Sequence, residues 1–128
     1  MQINILSGKN WPKADQIGWC DPMVVVKYEE DGKKKKYKTK HQNNTANPKW
    51  KDESFKINTP GDIITFVCYD WDRFDNNDLL GQCSVSIQDL KKKNQLGRMT
   101  LTITLNDKYV TKRKENCGST LDITIQEV

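Results

Sequence analysis

The sequence predicts an all-β protein, an eight-stranded antiparallel β-sandwich. Three observations carry that expectation. Val, Ile and Thr together number 27, against 13 for Ala, Leu and Met, and β-branched side chains fit a pleated surface while losing rotamer freedom in a helix. Apolar and polar residues alternate: Leu101, Ile103 and Leu105 with Thr100, Thr102 and Thr104; Leu121, Ile123 and Ile125 with Asp122, Thr124 and Gln126; Cys83, Val85 and Ile87 with Ser84, Ser86 and Gln88. A period of two buries one face of a strand and wets the other. Turn residues supply the third observation: Asp31-Gly32 lies between two extended runs and is a hairpin signal, and Gly61-Asp62 after Pro60 marks another turn.

These signals place strands at residues 2–7, 22–29, 34–41, 53–58, 63–69, 82–88, 99–105 and 119–126. The Asp31-Gly32 hairpin joins the second and third, and the Pro60-Gly61 turn joins the fourth and fifth. The last three follow from their alternation. A short helical turn is expected at 87–93. At 128 residues and 14.9 kDa the chain reads as a single domain, 1–128. With 35% hydrophobic and 30% charged residues it can still build a core. No apolar run approaches the ~20 residues of a membrane-spanning helix. The opening Met1-Gln2-Ile3-Asn4-Ile5 lacks the charged start, apolar stretch and cleavage site of a signal peptide. A cytoplasmic protein is expected. Cys20, Cys68, Cys83 and Cys117 form neither a CxxC pair nor a zinc spacing, so four reduced thiols are expected, some of them in the core.

Strand parity locates a functional end. If short connections make each strand reverse the last, connections 8–21, 42–52, 70–81 and 106–118 emerge together. The hairpin, the Pro60-Gly61 turn, segment 89–98 and both termini emerge at the other end. The first end gathers the acids: Asp15 and Asp21 in one connection, and Asp70, Asp72, Asp75 and Asp78 in another. Yet the chain as a whole carries a formal net charge of +4. Like charges at close range are unfavourable without a counter-ion. Oxygen donors with no His or Cys among them favour a hard cation, and Ca²⁺ accepts ~6–8 oxygens where Mg²⁺ keeps several waters. Two polar loops whose Asp and Asn residues merely cap their own turns are the simpler alternative. Residues 70–81 are not an EF-hand loop: the sixth and twelfth places should be Gly and Glu, and they are Asp75 and Gly81.

Several stretches together resemble a C2 domain, the calcium- and phospholipid-binding module first described in protein kinase C. They are Lys13-Ala14-Asp15-Gln16-Ile17-Gly18-Trp19-Cys20-Asp21-Pro22, then Lys38-Thr39-Lys40, then Asn47-Pro48-Lys49-Trp50 with Asp52-Glu53-Ser54-Phe55, and Tyr69 through Gly81. The resemblance spans essentially the whole chain and implies an eight-stranded sandwich with calcium loops at one end. It implies Asp15, Asp21, Asp70, Asp72 and Asp78 as metal ligands, with backbone carbonyls of Ala14 and Trp71 and two or three Ca²⁺ ions. Asp75 stands outside the five-aspartate pattern, as an outer ligand only. Loop positions Ile17, Trp19, Arg73, Phe74 and Asn77 fall where the family meets lipid. The strand order, with an extra last strand at 121–126, resembles the circularly permuted second topology of the family. Met23 departs from the Tyr usual after the Asp-Pro of the first loop, which weakens the likeness to phosphoinositide-binding members.

Lys33, Lys34, Lys35, Lys36, Lys38 and Lys40 form a second constellation. In a strand, Lys34, Lys36, Lys38 and Lys40 share one face. Lys36 and Lys38 fall where some C2 domains hold a phosphoinositide headgroup, but such a ladder also guards an edge strand against aggregation. Three function classes follow. The leading one is a calcium-triggered module that binds anionic phospholipid, phosphatidylserine or phosphoinositide, and moves to the membrane periphery when calcium rises. The alternative is a calcium-independent adaptor for protein or polyanion that uses the lysine strand; a nucleic-acid binder of this kind leaves the five aspartates unexplained. An enzyme is the third, and His41, the lone histidine, lies in the lysine strand with no nucleophile or orienting acid beside it.

Overall fold

The computed structural model describes residues 1–13, 18–74, 76–110 and 118–128. Two antiparallel sheets face each other. One has four strands in the order β4 (Ser54–Lys56), β1 (Gln2–Lys9), β9 (Thr120–Gln126), β7 (Gly97–Thr102). The other has five, in the order β3 (Lys33–Lys38), β2 (Pro22–Glu30), β5 (Ile63–Asp70), β6 (Asp78–Ser86), β8 (Thr104–Leu105). The all-β sandwich expected from composition and alternation is therefore present.

The inner faces supply the core. Ile3 and Ile5 of β1 meet Leu121, Ile123 and Ile125 of β9 on one sheet, and Val24, Val26, Ile64, Phe66 and Cys68 face them from the other, all at 0 or 1% exposure. Trp11, in the first connection, is fully buried and donates Nε1–H to the Thr120 carbonyl at 3.0 Å. A Cβ on Gly8 would lie 2.3 Å from that indole nitrogen, so the strand can pass the ring only as glycine. Asp31 and Gly32, at φ 52 and 73, make the β2–β3 hairpin with both central residues left-handed.

The helical turn expected at 87–93 is α1, Ile87–Lys92. Ser86 caps it by accepting from the Asp89 amide, and Asp62 accepts from the Ser86 hydroxyl at 2.8 Å and the Gln88 amide at 2.9 Å. Cys20, Cys68 and Cys83 are buried, and the Cys20 thiol lies 3.5 Å from the Thr45 carbonyl oxygen. Burial pushes the Cys83 thiol up to about 12 and Cys68 well above its usual value, which makes them unreactive. Cys117 lies outside the described residues.

The single strand expected at 99–105 is two. β7 pairs with β9, whereas β8 crosses to the other sheet and pairs Leu105 with Gly81 and Thr104 with Gln82. The crossing occurs at Ile103, which is 5% exposed, reaches the core, and donates its amide to Ser119. Gly81 permits the approach of β8: a Cβ there would lie 2.5 Å from the Thr104 carbonyl oxygen. Alternation runs unbroken through the switch, so the pattern alone reads as one strand. The third strand stops at Lys38, not 41, and the sixth begins at Asp78, not 82. A short α2, Asp107–Val110, lies in a segment expected to be a connection.

The termini share one end. Gln2 pairs with Gln126, and the Met1 amine donates to the Ile57 carbonyl at 2.9 Å. The connection preceding β2, that between β3 and β4, and that between β5 and β6 meet at the other, as parity requires.

Candidate functional site

Strand register brings the acids together. Pro22, Asp70 and Asp78 are cross-strand neighbours on β2, β5 and β6. Asp21 therefore sits one residue before the β2 end of that row. Its amide donates to Asp70 Oδ1 at 2.8 Å, and the Trp71 amide donates to the Asp21 carbonyl at 2.9 Å. Asp21 Oδ1 in turn accepts the Asn44 amide at 2.7 Å. Asp70 is 5% exposed, and the Asp21 amide satisfies its buried Oδ1.

Loop 71–77 is shaped by its own polar side chains. Asp72 Oδ1 accepts the Phe74 amide at 2.9 Å, and Asn77 Oδ1 accepts the Asp72 amide at 2.8 Å. The Asn77 side chain thus closes the neck of the loop. At the tip, Phe74 is 89% exposed with the Arg73 guanidinium 5.4 Å from its ring centre. Trp19 of the first connection is 49% exposed. Asp72 and Asp78 are exposed.

Of the expected ligands, the structure therefore describes Asp21, Asp70, Asp72 and Asp78. Asp15, Ala14 and Ile17 lie outside the described residues, as does Asp75. Among the described residues no three His, Cys, Asp or Glu side chains form a group that could hold a metal ion. The donor set of the two loops is nevertheless all oxygen, which is the chemistry a hard cation takes.

Two neighbours of the acids were invisible to the sequence pattern. Tyr109 on α2 is 3% exposed, and burial raises its phenol, with the charges of Asp78 and Asp70 adding to the shift. Lys108 lies 5.0 Å from the Tyr109 ring centre; its bond to Tyr109 raises its pKa, and the charge of Asp78 contributes in the same direction. No periodic signal marks a four-residue helix in a loop. His41 is also displaced from its expected place. It lies beyond β3, not within the lysine strand, and stacks on Trp71 with ring centres 3.6 Å apart and 3° between planes.

The lysine strand is the outer edge of the five-stranded sheet. Lys34, Lys36 and Lys38 oppose Glu29, Lys27 and Val25 of β2, and all three are exposed. Lys35 has the opposite parity and pairs with Glu30 at 2.6 Å. A groove of about 650 Å³ is lined by Lys27, Lys34, Lys36 and Ile63 among others, and lies toward the hairpin end. Lys36 lines it and Lys38 does not. Lys27, which no sequence pattern singles out, is brought opposite Lys36 by the hairpin register.

Comparison with known proteins agrees with this architecture. The C2 domain family model matches residues 1–101. The chain is 36% identical over 104 residues to synaptotagmin-1 of Aplysia californica, which covers 77% of this chain but 23% of that protein. It is 30% identical over 125 residues to the protein C2-domain ABA-related 11 of Arabidopsis thaliana, covering 93% of this chain and 70% of that one. Among solved structures, a C2 domain of plant extended synaptotagmin 1 superposes with a TM-score of 0.73 at 22% identity, over 98% of this chain and 95% of that one. Extended synaptotagmin 2, in a calcium-bound structure of two of its C2 domains, gives 0.72 at 16% identity, over 95% and 42%. The sandwich with its acids at one end, and the family match across most of its length, lead to one conclusion: the chain belongs to the C2 domain family.

Proposed function

We propose that this chain is a calcium-dependent membrane-binding module with no catalytic role of its own, acting as a single domain over 1–128. One observation carries the reading most. Asp21, just before β2, and Asp70, at the end of β5, are tied together by a hydrogen bond from the Asp21 amide to the Asp70 carboxylate, at the same end as the exposed Trp19 and Phe74. Carboxylates collected beside exposed aromatics suit a site where a cation joins protein to an anionic surface.

In this reading Asp15, Asp21, Asp70, Asp72 and Asp78 hold two or three Ca²⁺, with the carbonyls of Ala14 and Trp71. Empty, the five carboxylates repel anionic lipid. Loaded, their charge is largely neutralised, and a lipid phosphate or carboxylate completes a shell of ~6–8 oxygens. Ile17, Trp19, Arg73 and Phe74 then contact the bilayer, and Asn77 keeps the third loop in shape beside them. Lys36 and Lys38 add attraction to phosphoinositide or phosphatidylserine at every calcium level. The protein would reside in the cytoplasm and join the membrane periphery as calcium rises. Among the described residues no helix is long and apolar enough to cross a membrane, and in this reading attachment runs through the loops. That a calcium-bound structure of a fold neighbour exists is consistent with the reading.

A second reading has its own observation. The groove containing Lys27, Lys34 and Lys36 lies away from the acids of the first and third loops, although Glu29 and Asp62 also line it, and would serve a calcium-independent polyanion or protein adaptor. Vesicle co-sedimentation separates the two. Phosphatidylcholine vesicles with and without phosphatidylserine, and with and without a phosphoinositide, are spun down with the protein in Ca²⁺ or in chelator. Binding that requires both calcium and anionic lipid supports the first reading. Equal binding in chelator removes it in favour of the second.

A further inference from the structure

The connection between β3 and β4 carries none of the proposed ligands, yet it touches both loops that do. We propose that it is a clamp that sets the spacing of those loops, with Asn44 and His41 as its positioning residues. The proposal deepens the calcium reading above and rests on it.

Asn44 holds the first loop twice. Its amide donates to Asp21 Oδ1 at 2.7 Å, and its side-chain Oδ1 accepts the Trp19 amide at 2.6 Å. One residue thus fixes a proposed ligand and an exposed aromatic two positions away. Asn44 adopts φ 49, a left-handed conformation that Asn tolerates better than most residues. The fit is close: a Cβ on Gly18, itself at φ 79, would lie 2.7 Å from Asn44 Oδ1. Two backbone bonds extend the seam, Thr45 N–H to the Cys20 carbonyl at 3.0 Å and Gln42 N–H to the Pro22 carbonyl at 2.9 Å.

His41 holds the third loop. Its ring lies flat on Trp71, 3.6 Å between centres. Trp71 stands between Asp70 and Asp72, and its own amide is bonded to the Asp21 carbonyl. Fixing the indole fixes the direction in which the chain leaves Asp70 for Asp72. Carboxylates that repel one another need such a frame, because without it the ion must first gather them. A frame formed in advance lowers the ordering cost of binding.

The test uses wild type, His41→Ala, His41→Phe and Asn44→Gly. Glycine takes φ 49 freely and keeps the amide bonded to Asp21 while removing the oxygen that holds Trp19. Calcium affinity is read by calorimetry. Amide hydrogen exchange is read on the metal-free protein across 18–22 and 70–78. Vesicle binding is read with phosphatidylserine-containing vesicles at saturating Ca²⁺. His41→Ala should exchange faster across 70–78 and bind calcium about three- to tenfold more weakly, the scale of one lost ring contact. His41→Phe should restore both. Asn44→Gly should exchange faster across 18–22 and lose vesicle binding more than calcium affinity. Wild-type exchange and affinity in both His41→Ala and Asn44→Gly would overturn the clamp, as would His41→Phe failing as badly as His41→Ala. A wild-type protein that ignores calcium defeats the underlying reading instead, while the exchange pattern still decides whether the clamp exists.

Discussion

The acidic end and the lysine groove set opposite charges on one small sandwich, and they do so by different means. At the acidic end, the carboxylates of Asp21, Asp70 and Asp72 each accept a backbone N–H, so the geometry is written into loop hydrogen bonds. On the lysine face, strand alternation and the hairpin register set the positions, and Lys34, Lys36 and Lys38 make no ion pair with any described residue. In the proposed reading, the first arrangement changes charge by binding an ion. The second is cationic at any calcium level. The proposed module would thus separate trigger from affinity, and each half can be tested without the other.

The largest expected effect belongs to the ion itself. Calcium should stabilise the fold by about 2.7 kcal/mol at a hundredfold excess over Kd, and by about 4.1 at a thousandfold. Thermal melting with increasing Ca²⁺ checks this; Mg²⁺ should do much less. An unchanged melting curve at saturating Ca²⁺ would remove the metal from the acidic end.

Phe74→Ala comes next. A fully buried Phe is worth roughly 1.5–3 kcal/mol, so calcium-dependent vesicle affinity should fall about ten- to a hundredfold, with the calcium-induced rise in melting temperature intact. The exposed ring at the loop tip makes that separation possible. Equal vesicle affinity in the variant would take Phe74 out of the contact.

Lys36→Ala with Lys38→Ala addresses the other half. Near an anionic leaflet each lysine contributes ~1 kcal/mol, so affinity should drop while the calcium requirement stays. Added salt should erase the difference between this variant and wild type, because exposed charges are screened over about a Debye length. Persistence of the difference in high salt would mean the lysines touch the headgroup directly. Lys35→Ala gives the smallest effect. Its ammonium is exposed although Glu30 is mostly covered, and ion pairs at the surface contribute little, so melting and vesicle binding should both stay close to wild type.

The same contrast shows what the sequence made legible. Strand parity and the positions of Asp21, Asp70, Asp72 and Asp78 placed the acids on one end, because both depend only on period and connection length. Lys34, Lys36 and Lys38 of the lysine ladder were legible for the same reason, whereas Lys40 lies beyond the end of β3. Three features were not. The sheet switch at Ile103 preserves the alternation that defines a strand, so Leu101 and Leu105 look continuous although they lie in different sheets. The approach of Lys27 to Lys36 depends on the hairpin register, and α2 depends on Tyr109 packing into the core. Asn44 and His41 act through single contacts between loops, and no periodic pattern records those.

The most direct test of the separation is co-sedimentation of Asp70→Asn with Asp72→Asn, alongside wild type, on phosphatidylserine-containing vesicles across a calcium titration. Asn preserves the side-chain oxygens that accept the Asp21 and Phe74 amides, so the loops should keep their shape and lose charge alone. Calcium should then recruit wild type, and the variant should show only the weak, salt-sensitive binding of its lysines. A variant that still responds to calcium as wild type does would contradict the assignment of the trigger to these aspartates.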